Sequence, residues 1–367
     1  MKKSKVGIIG CGKISGIYLQ RCKLFEILDV VACADINMKR AIERAKEFNV
    51  PEACSVEELL CHSEIEIIVN LTTPQAHAEV NLKALESGKH VYVEKPLATS
   101  RAEARKVLEK AREKGLLVGC APDTFLGGGI QTCRRIIDDG LIGKPIAAVA
   151  FMVCHGHESW HPDPEFYYKR GGGPLLDMGP YYLTTLVNLI GPIEKVSGSS
   201  RISFPERTIT SKPKYGTSIK VEIPTHLAGT IDFSSGAIGT IIMSFDVWKH
   251  NLPPIEIYGS EGSLCVPDPN IFGGSVKLFK AGDEEWIDIP LYYGCSEDSR
   301  GIGVADMAYA IQYGRPHRAN GDMAHHVLDV MLAFEESSAL GKSYRVESSC
   351  ERPKALPVGL KEGHLDE

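Results

Sequence analysis

The chain has no basic or acidic run, no CxxC pair, no internal repeat and no apolar stretch of membrane-spanning length. Each absence removes a class of function. With 41 Lys and Arg set against 47 Asp and Glu, a net charge of −6 and both signs mixed along the chain, nucleic acid and anionic membrane surfaces are disfavoured as partners. The longest apolar run, Ile146 to Cys154, is about half of what a bilayer span needs. The opening "MKKSKVGIIG" enters a strand-like run at once and shows no small-residue cleavage site. The eleven cysteines are odd in number and scattered, so they read as reduced, mostly packed thiols of a cytoplasmic protein.

What remains is an ordinary soluble composition, 43% apolar and 24% charged, on a chain too long for one core. Two domains and a tail are expected: 1–122 binding a nucleotide, 123–350 binding substrate and partner copies, and a loose segment 351–367. From Lys5 to Cys120, apolar strand-like runs ("KVGIIG", "DVVACAD", "EIIVNL", "HVYVE", "LLVGC") alternate with helical ones such as "SRAEARKVLEKAREKG". That alternation predicts an α/β fold with a parallel sheet covered on both faces.

The first strand runs into "GCGKIS". Gly10 permits a tight turn, Gly12 lets the backbone approach a pyrophosphate, and a helix N-terminus follows, with Lys13 and Ile14 in the same turn. Ser15 stands where a third glycine is usual. Asp35 closes the second strand, where a carboxylate would bind the adenosine ribose and repel a 2′-phosphate. NAD is therefore expected over NADP, with Lys39 and Arg40 near enough to offset part of that repulsion. Two later strand ends face the same crevice. Thr72, Thr73 and Pro74 follow one, with His77 beyond them as a packed, capping or cofactor-contacting residue. Glu94 and Lys95 follow the other, and Pro96 holds Lys95 out of helical geometry.

Beyond Asp123 the periodicity changes. "THLAGTIDF" and "AIGTIIMSFDV" alternate apolar with polar residues and are joined at Ser234–Gly236, which predicts a hairpin. Further runs at "IEIYG", "SLCV" and "SVKLF" extend an antiparallel sheet, and a second copy of the chain is the expected cover for its open face. The stretch "CHGHESWHPDPEFYY" offers His155, His157, Trp160 and His161. A metal site is disfavoured there because no cysteine or acidic third ligand arrives at recognisable spacing. A loop gripping hydroxyls and stacking on a sugar face suits Trp160, as does the role of a buried anchor. Asp123 in "PDTFLGGG" is a weaker candidate for substrate contact.

The segments "GIIGCGKIS", "TTPQAH", "GKHVYVEKPLA", "GGGPLLDMG", "YGSEGSL" and "AHHVLDVMLAFEES" together resemble the Gfo/Idh/MocA oxidoreductases, and they run from end to end. The resemblance implies a Rossmann domain followed by an α/β domain with a large open, mostly antiparallel sheet. It implies NAD(P)-dependent hydride transfer at a secondary alcohol of a sugar, glycoside or cyclitol; the open sheet face separately predicts a homodimer or homotetramer. Lys95 and Asp177 match the family's catalytic lysine and aspartate. Four residues after that aspartate the family usually carries histidine, whereas this chain carries Tyr181. Pro180 is expected in the first turn of a helix "PYYLTTLVNLIG", with Asp177 just before it. A nearby Lys95 and the positive helix end would then lower the Tyr181 pKa. Rival readings are a glycosidase or lyase that oxidises its substrate transiently on retained NAD, and a non-catalytic nucleotide sensor.

Overall fold

The computed structural model describes residues 2–367. The first domain orders its strands β3-β2-β1-β4-β5-β6, all parallel. These are β1 (Ser4–Ile9), β2 (Leu28–Ala34), β3 (Glu52–Cys54), β4 (Ile67–Asn70), β5 (His90–Val93) and β6 (Val118–Cys120). The order reverses between β1 and β4, and that switch point is where an open parallel sheet leaves a crevice. The connecting helices are α1 (Ser15–Arg21), α2 (Met38–Phe48), α3 (Val56–Cys61), α4 (Pro74–Glu86) and α5 (Arg101–Lys114). Their ends follow local chemistry. Ser100 caps α5 by accepting from the Glu103 N–H, and Gly115 closes it in the left-handed conformation. The short β3 was absent from the sequence reading, because only three residues pair and no period can be read from so few.

The second domain adds α6 (Gly128–Asp138), β7 (Pro145–Val153), α7 (Gly173–Ile190) and β8 (Ile193–Arg201). A two-stranded ribbon, β9 (Glu206–Thr208) with β10 (Ser218–Lys220), follows. Then come β11 (His226–Phe233), β12 (Ile238–Ser244), β13 (Ile255–Gly259), β14 (Gly262–Val266), β15 (Val276–Lys280) and β16 (Ile287–Ile289). Helices α8 (Ile302–Tyr313) and α9 (Gly321–Leu340) and the edge strand β17 (Tyr344–Arg345) complete it. The nine-stranded sheet runs β16-β15-β14-β13-β7-β12-β11-β8-β17. Only β7 and β12 pair in parallel; the rest are antiparallel.

Helices α7 and α9 cover one face of this sheet, over Ala148, Ala150, Ile241 and Met243. On the opposite face, Val149, Phe151 and Ile242 are only partly covered, and Thr240 is exposed. Helix α9 also touches β6 and α5, so it braces both domains. Arg101 of α5 pairs there with the buried Asp329 and with Glu336.

Two expectations change. Segment 351–367 is not loose: Leu356 and Leu365 are buried, Leu356 donates its N–H to Gln131, and Asp366 pairs with Arg318 at 2.7 Å. Helix α7 starts at Gly173, with Pro174 rather than Pro180 in its first turn, so Pro180 lies inside it. All eleven cysteines are free and only Cys61 is exposed. Among the described residues, no helix is long and apolar enough to cross a membrane.

Candidate active site

A cleft of about 540 Å³ opens over the ends of β1, β2 and β4, lined by Gly10, Gly12, Lys13, Ile14, Asp35, Thr72 and Thr73. Its floor is backbone. Gly10 has φ +101°, and a Cβ there would stand 2.6 Å from the Leu71 carbonyl oxygen, so only glycine fits. No atom lies within 4 Å of a Cβ built on Gly12, which leaves that peptide open to a phosphate. Ser15, standing where a glycine is usual, is fully buried and donates its hydroxyl to the Gly12 carbonyl at 2.7 Å. Asp35 accepts the Cys11 N–H on one oxygen and the Asn37 N–H on the other, both at 2.8 Å. Each oxygen keeps a lone pair, so the carboxylate is fixed in place and can still accept from a ribose hydroxyl. The cleft thus fits a dinucleotide.

His77 is held away from that role. It is 1% exposed, and its ring nitrogens lie 2.7 Å from the Pro96 carbonyl and 3.1 Å from the Thr72 carbonyl. No ring nitrogen remains for a ligand, so the expected cofactor contact becomes a tie between two loops. Burial depresses its pKa, against the pull of those carbonyls. Pro74 opens α4 beside the cleft. Glu94 is likewise committed, accepting from the Tyr18 hydroxyl at 2.8 Å and the Lys95 N–H at 3.1 Å.

Lys95 is the hinge between the two domains' chemistry. Its ammonium donates to Asp177 Oδ1 and to the Asp177 carbonyl, both at 2.8 Å, with both side chains about four-fifths buried. Burial would lower the lysine's pKa and raise the aspartate's, but each charge overrides the other's desolvation. Lys95 is held above its ordinary value and Asp177 is held down to about 2. The pair is therefore fully ionic at neutral pH. His157 Nε2 lies 3.8 Å from the other Asp177 oxygen, and both His157 ring nitrogens are buried without a partner. Tyr181 is 6% exposed and presents its ring face 5.5 Å from the Lys95 ammonium.

The expectation of a lowered Tyr181 pKa is overturned. Burial pushes the phenol up, and the opposing charges of Lys95 and Arg300 do not cancel it. The helix end contributes little, because Tyr181 sits two turns inside α7 rather than at its start.

The remaining candidates separate. Trp160 is half exposed, 5.9 Å from the Lys13 ammonium, and so reaches across from the second domain to the glycine turn. His161 packs edge-on against Trp160, Phe166 and Tyr167, and burial with the Lys13 charge lowers its pKa. His155 faces elsewhere, stacked on Trp248 at 3.3 Å and 3.5 Å from Arg207. Asp123 does not face substrate. It is wholly buried and accepts the Gly301 and Gly303 N–H groups at 2.8 and 3.2 Å, capping α8. A carboxylate at a helix N-terminus satisfies two otherwise orphan donors. Among the described residues, no three His, Cys, Asp or Glu side chains are grouped to hold a metal. Sequence reasoning missed Arg300, an 8%-exposed residue whose guanidinium lies beside the Tyr181 phenol and 3.7 Å from Glu94. Nothing local in "CSEDSRGIG" marks it.

A dinucleotide cleft beside a buried lysine–aspartate ion pair is the arrangement of an oxidoreductase that uses a nicotinamide dinucleotide. The comparisons agree. Residues 4–121 match the oxidoreductase family with an NAD-binding Rossmann fold, and residues 130–265 match the GFO/IDH/MocA C-terminal domain. The chain belongs to the GFO/IDH/MocA family. It is 30% identical over 332 residues to a 1,5-anhydro-D-fructose reductase of Ensifer adhaerens, covering 87% of this chain and 92% of that one. Over 262 residues it is 32% identical to a mouse trans-1,2-dihydrobenzene-1,2-diol dehydrogenase, covering 69% and 78%. A levoglucosan dehydrogenase solved with NADH and L-sorbose superposes with a TM-score of 0.80 at 20% identity, covering 95% of this chain and all of the other. This last likeness speaks for the fold.

Proposed function

We propose that this protein moves a hydride between NAD and a ring secondary alcohol of a sugar, glycoside or cyclitol. One observation carries the reading. The buried Lys95–Asp177 ion pair stands at the end of β5, beside the dinucleotide cleft, with Tyr181 and His157 on either side. The names of the two relatives support the substrate class, since each names a ring compound bearing a secondary alcohol or its ketone.

Nicotinamide supplies the hydride acceptor or donor; the protein must hold the alcohol and move one proton. Lys95 hydrogen-bonds the reacting oxygen and stabilises negative charge as the proton leaves. Asp177 fixes the lysine and accepts from a neighbouring hydroxyl. Tyr181 exchanges the proton; held neutral by burial, it is poised to give one to the substrate oxygen in the reducing direction. A second reading assigns the proton to His157, favoured by its two unpartnered ring nitrogens and its approach to Asp177. Trp160 packs against the sugar face at the mouth.

A second copy of the chain covers the partly exposed face around Val149, Phe151 and Ile242, giving a dimer or a dimer of dimers. A monomeric mass by light scattering at micromolar concentration would contradict this. The eleven free thiols support a reducing compartment such as the cytoplasm.

The test is purified protein with NAD against a panel of cyclitols, free sugars and glycosides, following NADH absorbance. NADH formed from a ring secondary alcohol is the expected result. Glycoside cleavage without net NADH would replace this reading with transient oxidation on retained NAD.

A further inference from the structure

Among the described residues, Arg300 is a buried cation near the reacting cluster that the mechanism above leaves idle. It arrives on the turn just before α8, and that turn is pinned by Asp123 through the N–H groups of Gly301 and Gly303. Its own N–H is held by the Asp298 carboxylate at 3.3 Å. The guanidinium lies against the Tyr181 phenol, with Tyr18, Glu94 and Asp123 around it, and its Nε is buried with no partner.

The two cations next to Tyr181 are placed differently. Lys95 sits over the ring face, with two of its three N–H donors on Asp177 at 2.8 Å and the third kept for the reacting oxygen. The Arg300 charge also acts on the phenol, and the carboxylate within 4 Å of the guanidinium, Glu94, is at 3.7 Å, beyond a good hydrogen bond. Glu94 meanwhile spends one oxygen on Tyr18 and the other on the Lys95 N–H. With the last Lys95 donor committed to the reacting oxygen and Glu94 able only to accept, Arg300 is the neighbouring cation with donors to spare for a phenolate. Tyr167 and His157, the other titratable neighbours of this cluster, offer no fixed positive charge.

We propose that Arg300 is a positioning residue for Tyr181, orienting its hydroxyl and holding the negative charge that forms on it when the proton moves. This rests on the reading of Tyr181 as the proton-exchanging group. A buried phenolate without such a partner carries a large desolvation penalty. A guanidinium cannot be deprotonated, so the charge is constant across the working range and never competes for the proton.

The test is the pH profile of kcat/KM for alcohol oxidation in Arg300→Met, Arg300→Gln and Arg300→Lys, with Tyr181→Phe as reference. Arg300→Met and Arg300→Gln should move the alkaline limb up by about one pH unit or more, a loss of about tenfold at fixed pH. NADH affinity should stay within about twofold, and Arg300→Lys should restore the limb to within about half a unit. If Arg300→Met does not fold, the Gln and Lys pair decides: coincident profiles for the two overturn the proposal. A wild-type profile in Arg300→Met also overturns it. Failure of the underlying reading looks different, because Tyr181→Phe would then keep its turnover and its alkaline dependence. A Tyr181→Phe loss combined with an unmoved Arg300→Met limb sinks the arginine's role alone.

Discussion

The dinucleotide cleft and the reacting cluster meet at Lys95 but are built from different materials. The cleft is backbone: a glycine at positive φ, an open peptide at Gly12, and a carboxylate locked by two N–H groups. The cluster is side chain: an ion pair, a phenol and an imidazole brought together from β5, the loop after β7, and α7. Backbone sites tolerate side-chain change and fail when geometry changes. Side-chain sites fail when a single charge is removed. The two regions should therefore break independently.

The largest effect is expected at Asp177. Its removal by alanine strands a buried lysine, and breaking such a pair costs about 3–5 kcal/mol of stability. Turnover should fall on the order of a hundredfold or more while NADH binding survives. The pH dependence has a definite sign. The folded carboxyl is depressed to about 2, against roughly 3.9 unfolded. Its stabilising contribution is thus fully present above about pH 4 and lost as pH falls through about 2. Urea titrations of wild type and Asp177→Asn should differ most at neutral pH and converge in acid. A constant difference across that range would show that the ion pair is not what Asp177 contributes.

Tyr181→Phe comes next, with kcat lower by about a hundredfold. Because burial raises the phenol, wild-type oxidation should still be climbing at pH 10. A plateau reached well below pH 10 would show that the phenol is not the group that takes the proton. Gly10→Ala tests the other region. The strained φ and the approach to Leu71 should cost about 1–3 kcal/mol and weaken NADH binding by about tenfold or more. Turnover at saturating nucleotide should stay near wild type, and a matching fall in kcat would show that the regions are coupled. The smallest effect is expected for Asp35→Ser, which should narrow the NAD over NADP preference several-fold by removing charge repulsion. Wild-type kcat/KM for NADP equal to that for NAD would refute the role of Asp35.

The same division explains what could be read from the sequence. The first domain was legible because its signals are local: apolar strands at regular intervals, G-x-G at a strand end, and an aspartate closing the next strand. "IEIYG" and the Ser234–Gly236 hairpin were legible for the same reason. The α7 start was misplaced because two prolines compete, and Pro174, not Pro180, is the one beside the glycines that begin the helix. Asp123 and His77 looked functional by position, yet a helix end for one and the Pro96 carbonyl for the other reach them from other segments. Arg300 had no local signal, because its meaning lies in Tyr181 and Glu94, far back along the chain. Segment 351–367 reads as loose, but its anchoring depends on Gln131 and Arg318, far from it in sequence.

The most direct test of the division is Lys95→Ala, read twice on one preparation: NADH binding by fluorescence titration, and turnover with a ring secondary alcohol. Lys95 belongs to the cluster and only borders the cleft. The dissociation constant should stay within about twofold of wild type while kcat falls on the order of a hundredfold or more. Turnover near wild type, or nucleotide binding lost in parallel with turnover, would contradict the account.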